Sequence, residues 1–188
     1  MISYHRPYKN DLISCKNQKV TLMFSQIPNN HQPTDFINVA ELIPSLRIDI
    51  RYATCNNFLG EAVEGYSANK ALLTQAAAKA LAHAQQQALA QGYCFVIFDA
   101  FRPTRAIQHF HRWADQADNP ILKQRFYPHL SKKALFAKGY IAKQSSHSRG
   151  STIDLSLCKH TTGELLDMGT EFDFFGAASW LDYPNLTD

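Results

Sequence analysis

The sequence predicts an α+β fold, with a mainly antiparallel sheet and helices packed on one side of it. Three observations point there: segments that alternate as half-buried strands, a long Ala/Leu/Gln/Lys stretch of helical period, and late strands spaced as hairpins instead of regular βαβ units. From Leu46 the chain alternates, with Leu46, Ile48, Ile50 and Tyr52 on one face of a strand and Arg47, Asp49 and Arg51 on the other. Thr54 to Gly65 is turn-rich. After Asn69 come apolar residues at 72, 73, 76, 77, 80, 81, 84 and 88, a helix that Gly92 terminates. Tyr93 to Phe98 is continuously apolar or aromatic, the pattern of a buried central strand. It ends in Asp99-Ala100-Phe101-Arg102-Pro103, and Pro103 suits the first position of the next helix, whose buried stripe is Ala106, Ile107, Phe110, Trp113 and Ala114. Ser131 and Gly139 bracket a further short helix. Ile153 to Leu157 alternates as a strand, and Thr161-Thr162-Gly163 turns the chain toward Leu165, Leu166 and Met168.

No internal repeat and no linker interrupts residues 40 to 175. The 188 residues, 45% hydrophobic and 12% aromatic with 8 Gly and 8 Pro, suit one folded domain and exclude a disordered or collagen-like chain. The net charge of +3 is unevenly placed: Arg6, Lys9, Lys16 and Lys19 face one acid, Asp11, in the first 20 residues, which leaves 15 residues of each sign in the rest. A neutral body lacks the clustered positive charge that tracks a nucleic-acid backbone. Residues 1–25 therefore read as a poorly ordered basic extension, with Met23 as an alternative start, and residues 26–188 as a single domain. The apolar stretch Val20 to Phe24 is shorter than the ~7–15 residues of a signal-peptide core, and no window reaches the ~18 apolar residues of a membrane span. Cys15, Cys55, Cys94 and Cys158 form no C-x-x-C pair and read as small buried apolar residues in a reducing compartment. Cytoplasm is the default location, with the periplasm as the alternative.

Two segments carry chemistry. In Ser145-Ser146-His147-Ser148-Arg149-Gly150-Ser151-Thr152-Ile153-Asp154, core-facing Ile153, Leu155 and Leu157 turn Asp154 to the open face of the sheet, where His147 in the preceding loop can meet it. An imidazole with a carboxylate suits a catalytic zinc, which takes about three protein ligands and one water. Spacing alone, however, favours unrelated surface or capping groups. In the second segment Arg102 stands at the lip of the sheet, where its planar fork suits a developing oxyanion; taken by itself, the segment favours a local Asp99–Arg102 ion pair. His109 and His111 point apart on one helix, and His83, His129, His160, His5 and His31 lack partners in the pattern. Neither a nucleophile elbow nor a phosphate-binding glycine loop is present.

The segment SSHSRGSTIDLSL (145 to 157) resembles the motif S-x-H-x-x-G-x-A-x-D of the VanX-type D-alanyl-D-alanine dipeptidases, zinc metallopeptidases related to the D-Ala-D-Ala carboxypeptidases and the hedgehog signalling domain. DIRYATCNNF (49 to 58), FDAFRPTRAI (98 to 107), KGYIAKQSSHSRGS (138 to 151) and TGELLDMGTEFDFFG (162 to 176) extend the similarity over about residues 40 to 178. The resemblance implies zinc held by His147 and Asp154 on the open face, Arg102 steadying the oxyanion, and Tyr52 and Ser145 lining the pocket. It also implies hydrolysis of the small-molecule substrate D-Ala-D-Ala to two D-alanines, in cell-wall peptide turnover or glycopeptide resistance.

The chain departs from the family pattern in three places. Thr152 replaces the usual Ala, and Trp180 stands where His is frequent. The family takes a third ligand and a general base from a later Glu-x-x-His, whereas the residues three after Glu41, Glu61, Glu64, Glu164 and Glu171 are Pro44, Glu64, Ser67, Asp167 and Phe174. The expectation is a C-terminally incomplete chain with weak zinc binding and little hydrolysis. The alternatives are a D,D-carboxypeptidase of the same superfamily and a non-catalytic remnant or binding module.

Overall fold

The computed structural model describes residues 36–185; the extension expected at residues 1–25, with His5, Cys15 and His31, lies outside the described residues. β1 (Phe36–Asn38) leads into α1 (Val39–Leu42), then β2 (Arg47–Ile48) and a 3-10 turn at Arg51–Ala53. β3 (Leu72–Thr74) precedes α2 (Gln75–Ala90), and β4 (Tyr93–Asp99) precedes α3 (Thr104–Ala114), α4 (Pro120–Phe126) and α5 (Lys132–Ala137). A 3-10 turn at Ser146–Arg149 then enters β5 (Asp154–Lys159). This is an α+β chain, and none of its described helices is long and apolar enough to cross a membrane.

Local chemistry explains where the elements differ from the sequence prediction. The strand expected over residues 46–52 stops at Ile48. Beyond it the Asn69 side chain accepts the Ile50 N–H at 2.8 Å and donates to the Ile48 carbonyl at 3.0 Å, standing in for a strand partner. The long helix begins at Gln75 instead of just after Asn69, because Leu72–Thr74 pair with β1 and the Thr74 hydroxyl then caps the helix at the Ala77 N–H. At its far end Gly92, at φ +83°, breaks the helix as expected. α4 was not anticipated, although Asn119 as cap followed by Pro120 is a recognised start signal.

The main sheet has the order β2-β4-β5, with β2 parallel and β5 antiparallel to the central β4; β1 and β3 form a separate antiparallel pair. Alternation along β4 divides the core. Cys94, Val96 and Phe98 join one cluster with Tyr52, Phe58, Phe110, Trp113 and Phe126; Ile97 joins another with Val39, Leu46, Ile50, Leu81 and Leu155. Leu81 belongs to α2, Phe110 and Trp113 to α3, Phe126 to α4. Helices therefore cover both faces of the sheet, not one side as predicted. A strand that is apolar at successive positions, as β4 is from Cys94 to Phe98, can be satisfied only by burial on both faces. Tyr52 also parts from Leu46 and Ile50: the 3-10 turn carries it into the aromatic cluster on the opposite face.

Candidate active site

The ends of β4 and β5 bring three ligating groups together. A β-bulge between Ile97 and Asp99 shifts the register by one residue, so that Asp99 stands directly opposite Asp154. Two carboxylates opposed across a ladder repel each other. Arg102 sits between them, its guanidinium 2.7 Å from Asp99 Oδ2 and 3.4 Å from Asp154 Oδ2, while Nε donates to Asp99 at 2.9 Å. The ion pair read across the turn is therefore present, and it forms part of a larger cluster. Burial works against the guanidinium, but Asp99 together with Tyr52, Tyr66 and Asp154 outweighs it, and Arg102 is held charged well above its ordinary value. The guanidinium also lies over the rings of Tyr52 and Phe110, at 5.1 and 5.5 Å.

His147 is fixed by backbone on two sides. Ser145 caps the 3-10 turn by accepting the His147 N–H at 3.3 Å, and Ser148 Oγ donates to the Arg102 carbonyl at 2.9 Å, docking the turn against the end of β4. Gly150 ends the turn at φ +70°, where a Cβ would stand 2.3 Å from the Phe36 ring, so both conformation and space require glycine. His147 Nδ1 lies 2.9 Å from the Ala100 carbonyl, an acceptor, so Nδ1 carries hydrogen. This leaves Nε2 facing Asp154 Oδ1 at 3.4 Å. Burial opposes the imidazolium, yet the hydrogen bond and charge of Asp154 outweigh it and raise His147 above its ordinary value. A cation and this proton compete for the same lone pair.

Asp99, His147 and Asp154 offer ligand atoms that all lie within 4.8 Å of one another, a possible metal site. Their chemistry fits a metal. Ligands about 2.0–2.1 Å from a tetrahedral ion lie roughly 3.3–3.4 Å apart, the separation of Nε2 and Oδ1, and a ligating imidazole commonly gives its other N–H to a backbone carbonyl, as His147 does. Asp154 is not on an open face, however. Ser156 and Cys158, two and four residues on along the same strand, are fully buried, and Cys158 belongs to the aromatic cluster. The site lies at the strand ends, with Asp99 and His147 buried and Asp154 half-buried.

Sequence reasoning missed three participants. Asp99 was seen only as the partner of Arg102, yet it is wholly buried and also accepts from Tyr66 Oη at 2.7 Å. Burial pushes its carboxyl up, and the charges and hydrogen bonds of Arg102 and Tyr66 limit that rise. Asp173 accepts from Tyr52 Oη at 2.8 Å, at φ +60°, a backbone conformation that non-glycine residues rarely adopt. Burial, with Asp154 adding to it, pushes Asp173 up to about 8. A lone acid among Phe172, Phe174 and Phe175 was the available signal. Of the predicted residues, Arg102, His147 and Asp154 meet directly, Tyr52 joins through the Arg102 contact, and Ser145 contributes its capping bond. His109 is buried elsewhere: Nδ1 accepts the Glu64 N–H at 3.1 Å and Nε2 faces Glu61 at 3.2 Å.

A family model described as D-ala-D-ala dipeptidase matches residues 32–186 of the chain. The chain belongs to this family. Among its relatives, the D-alanyl-D-alanine dipeptidase of Enterococcus faecalis (strain ATCC 700802 / V583) is 45% identical over 144 residues, covering 77% of this chain and 71% of the relative. The D-alanyl-D-alanine dipeptidase of Streptomyces coelicolor (strain ATCC BAA-471 / A3(2) / M145) is 42% identical over 148 residues, covering 79% and 73%. That of Escherichia coli (strain K12) is 30% identical over 153 residues, covering 81% and 68%. The D-Ala-D-Ala dipeptidase family consists of metallopeptidase enzymes, so the resemblance read from the motifs holds.

Proposed function

We propose that the protein is a zinc D-Ala-D-Ala dipeptidase whose site is built on His147, Asp154 and Arg102, in a hedgehog-type arrangement. The observation that carries this is the His147 Nε2 to Asp154 Oδ1 separation of 3.4 Å beside the buried guanidinium. His147 and Asp154 would hold the ion, with Ala100 fixing the tautomer that leaves Nε2 free. Zinc, when bound, lowers the pKa of water toward ~7 and polarises the scissile carbonyl. Arg102, anchored by Asp99, keeps two N–H groups in a fixed plane for the oxyanion of the tetrahedral transition state. Tyr52 and Ser145 line the pocket, and Asp99 acts through Arg102 as a positioning residue.

Asp173 favours a free dipeptide over a longer peptide. A dipeptide carries an ammonium close to its scissile bond; Asp173, protonated near neutrality when alone, would ionise beside that cation and complement it, whereas an acylated stem peptide has none to offer. The general base is a separate matter. Among the described residues each glutamate is engaged away from the cluster: Glu41 with Asn38, Glu61 with His109, Glu64 with Arg112, Glu164 with Lys159 and Glu171 with Arg125. None of the described glutamates is thus placed to act as the base at this cluster.

Equilibrium dialysis against zinc, with wild type, His147→Ala and Asp154→Ala, tests the ligands. One zinc per chain is expected for wild type, with affinity at least about 100-fold lower in either variant, more than outer-shell changes usually cause. Unchanged zinc uptake in both variants would overturn the assignment. Release of D-alanine from D-Ala-D-Ala and from a stem pentapeptide by the zinc-loaded protein separates the activities. Preference for the pentapeptide would replace the dipeptidase by a carboxypeptidase, and brisk dipeptide turnover would show that the polypeptide has a base the described site lacks.

A further inference from the structure

The far end of the β4–β5 ladder holds a feature that the hydrolytic site does not use. Cys94 and Cys158 are direct register partners, flanked by Tyr93↔Lys159 and Phe95↔Leu157, and their sulfurs lie 3.0 Å apart. Both are buried, at 1% and 0% exposure, in the same aromatic cluster, so both side chains point to one face of the sheet. Opposed residues of an antiparallel pair have Cα atoms about 4.5–5.5 Å and Cβ atoms about 4.5–5.5 Å apart. The first range falls inside the Cα window of a disulfide, about 4.4–6.8 Å, and the second meets the upper end of its Cβ window, about 3.5–4.5 Å. Backbone pairing has thus already brought the two residues within reach of a bond, leaving small side-chain rotations to complete it.

We propose that Cys94 and Cys158 form a cross-strand disulfide when the chain folds in the presence of a disulfide oxidant, and remain a buried dithiol when it folds in a reducing compartment. The step is thiol–disulfide exchange. One cysteine thiolate attacks the oxidant R–S–S–R and expels one thiolate; the second cysteine thiolate then displaces the other. The cysteine pair loses two electrons and two protons, and the oxidant becomes two R–SH. Folding sets the timing. In the folded state burial, together with the facing Cys94 thiol, pushes the Cys158 thiol up to about 12, which leaves almost no thiolate, and neither sulfur is reachable from solvent. The bond therefore closes while β4 and β5 pair and before the aromatic cluster covers them. Asp99 lies five residue steps beyond Cys94, roughly 16 Å along β4, so the cross-link leaves the site geometry alone.

Refolding the full chain from denaturant with oxidised and reduced glutathione, then mapping peptides by mass spectrometry, tests this. The expected result is a Cys94–Cys158 linked peptide, two hydrogens lighter than the dithiol pair. It should be absent after refolding in reducing buffer, and it should form far more slowly when oxidised glutathione is added to protein already folded. The oxidised form should unfold at higher urea concentration than the reduced form, an increment absent in Cys94→Ala and Cys158→Ala, with zinc affinity changed less than twofold. Both thiols remaining open to alkylation after oxidative refolding, stable glutathione adducts at either one, or pairing of either with a different cysteine would each overturn the proposal.

Discussion

On one face of β4 the buried side chains around Ile97 are Val39, Leu46, Ile50, Leu73, Leu81 and Leu155, with no aromatic ring among the fully buried members. On the other face Phe98 meets Tyr52, Phe58, Phe110, Trp113, Phe126, Phe172 and Phe175. Both faces exclude water, but the cation lies over rings of the second: Arg102 stacks on Tyr52 and Phe110. Aliphatic surface offers a buried charge nothing, whereas a ring face attracts a cation and a tyrosine hydroxyl can reach a carboxylate. The difference teaches a division of labour within one domain. The aliphatic face carries stability and lends the site only the Ala100 carbonyl; the aromatic face carries stability and site together.

Arg102→Ala should break the aromatic face most severely. It leaves Asp99 buried opposite Asp154 without its counter-charge, a loss of about 3–5 kcal/mol by urea unfolding, and lowers dipeptide turnover by about 100–1000-fold. Stability unchanged in this variant would mean that Asp99 is not held as a carboxylate by Arg102. Phe110→Ala should come next, at about 3–5 kcal/mol, and should weaken zinc binding as well, because the ring supports the guanidinium. Leu81→Ala on the aliphatic face is the control: about 2–5 kcal/mol with zinc affinity unchanged. Equal effects of Phe110→Ala and Leu81→Ala on zinc affinity would dissolve the contrast between the faces.

The most gradual effect, spread over about four pH units, concerns pH. Asp173 titrates at about 8 in the folded protein, against ~3.9 for an unfolded aspartate. Between these values the folded state holds a proton that the unfolded chain has lost, so stability falls as pH rises, by up to about 1.4 kcal/mol per pH unit. It is fully present below ~4 and levels off above about 8. Metal-free Asp173→Asn should lack this slope, gaining on wild type as pH climbs through the window. Parallel stability curves for the two proteins would place Asp173 in a solvated setting instead.

What the sequence determined was the local code. The apolar run Tyr93 to Phe98 announced a buried central strand, Pro103 marked the start of α3 and Gly92 the end of α2, and the spacing of His147, Gly150 and Asp154 within a run of further motifs identified the family. The positions it missed depend on contacts between distant segments. The bulge that sets Asp99 opposite Asp154, the Ala100 carbonyl that fixes His147, and the fold-back that brings Asp173 to Tyr52 across 121 residues of chain have no periodicity to announce them. The open face expected for Asp154 failed for the same reason: alternation along β5 tells which side chains share a face, but α3 and the Phe172–Phe175 segment, packing from elsewhere in the chain, decide whether that face meets water. Cys94 and Cys158, 64 residues apart, looked like two unrelated small apolar residues until antiparallel pairing put their sulfurs side by side. Local propensity is written residue by residue; registry between strands is set by the free energy of burying both faces at once, and only the folded chain expresses it.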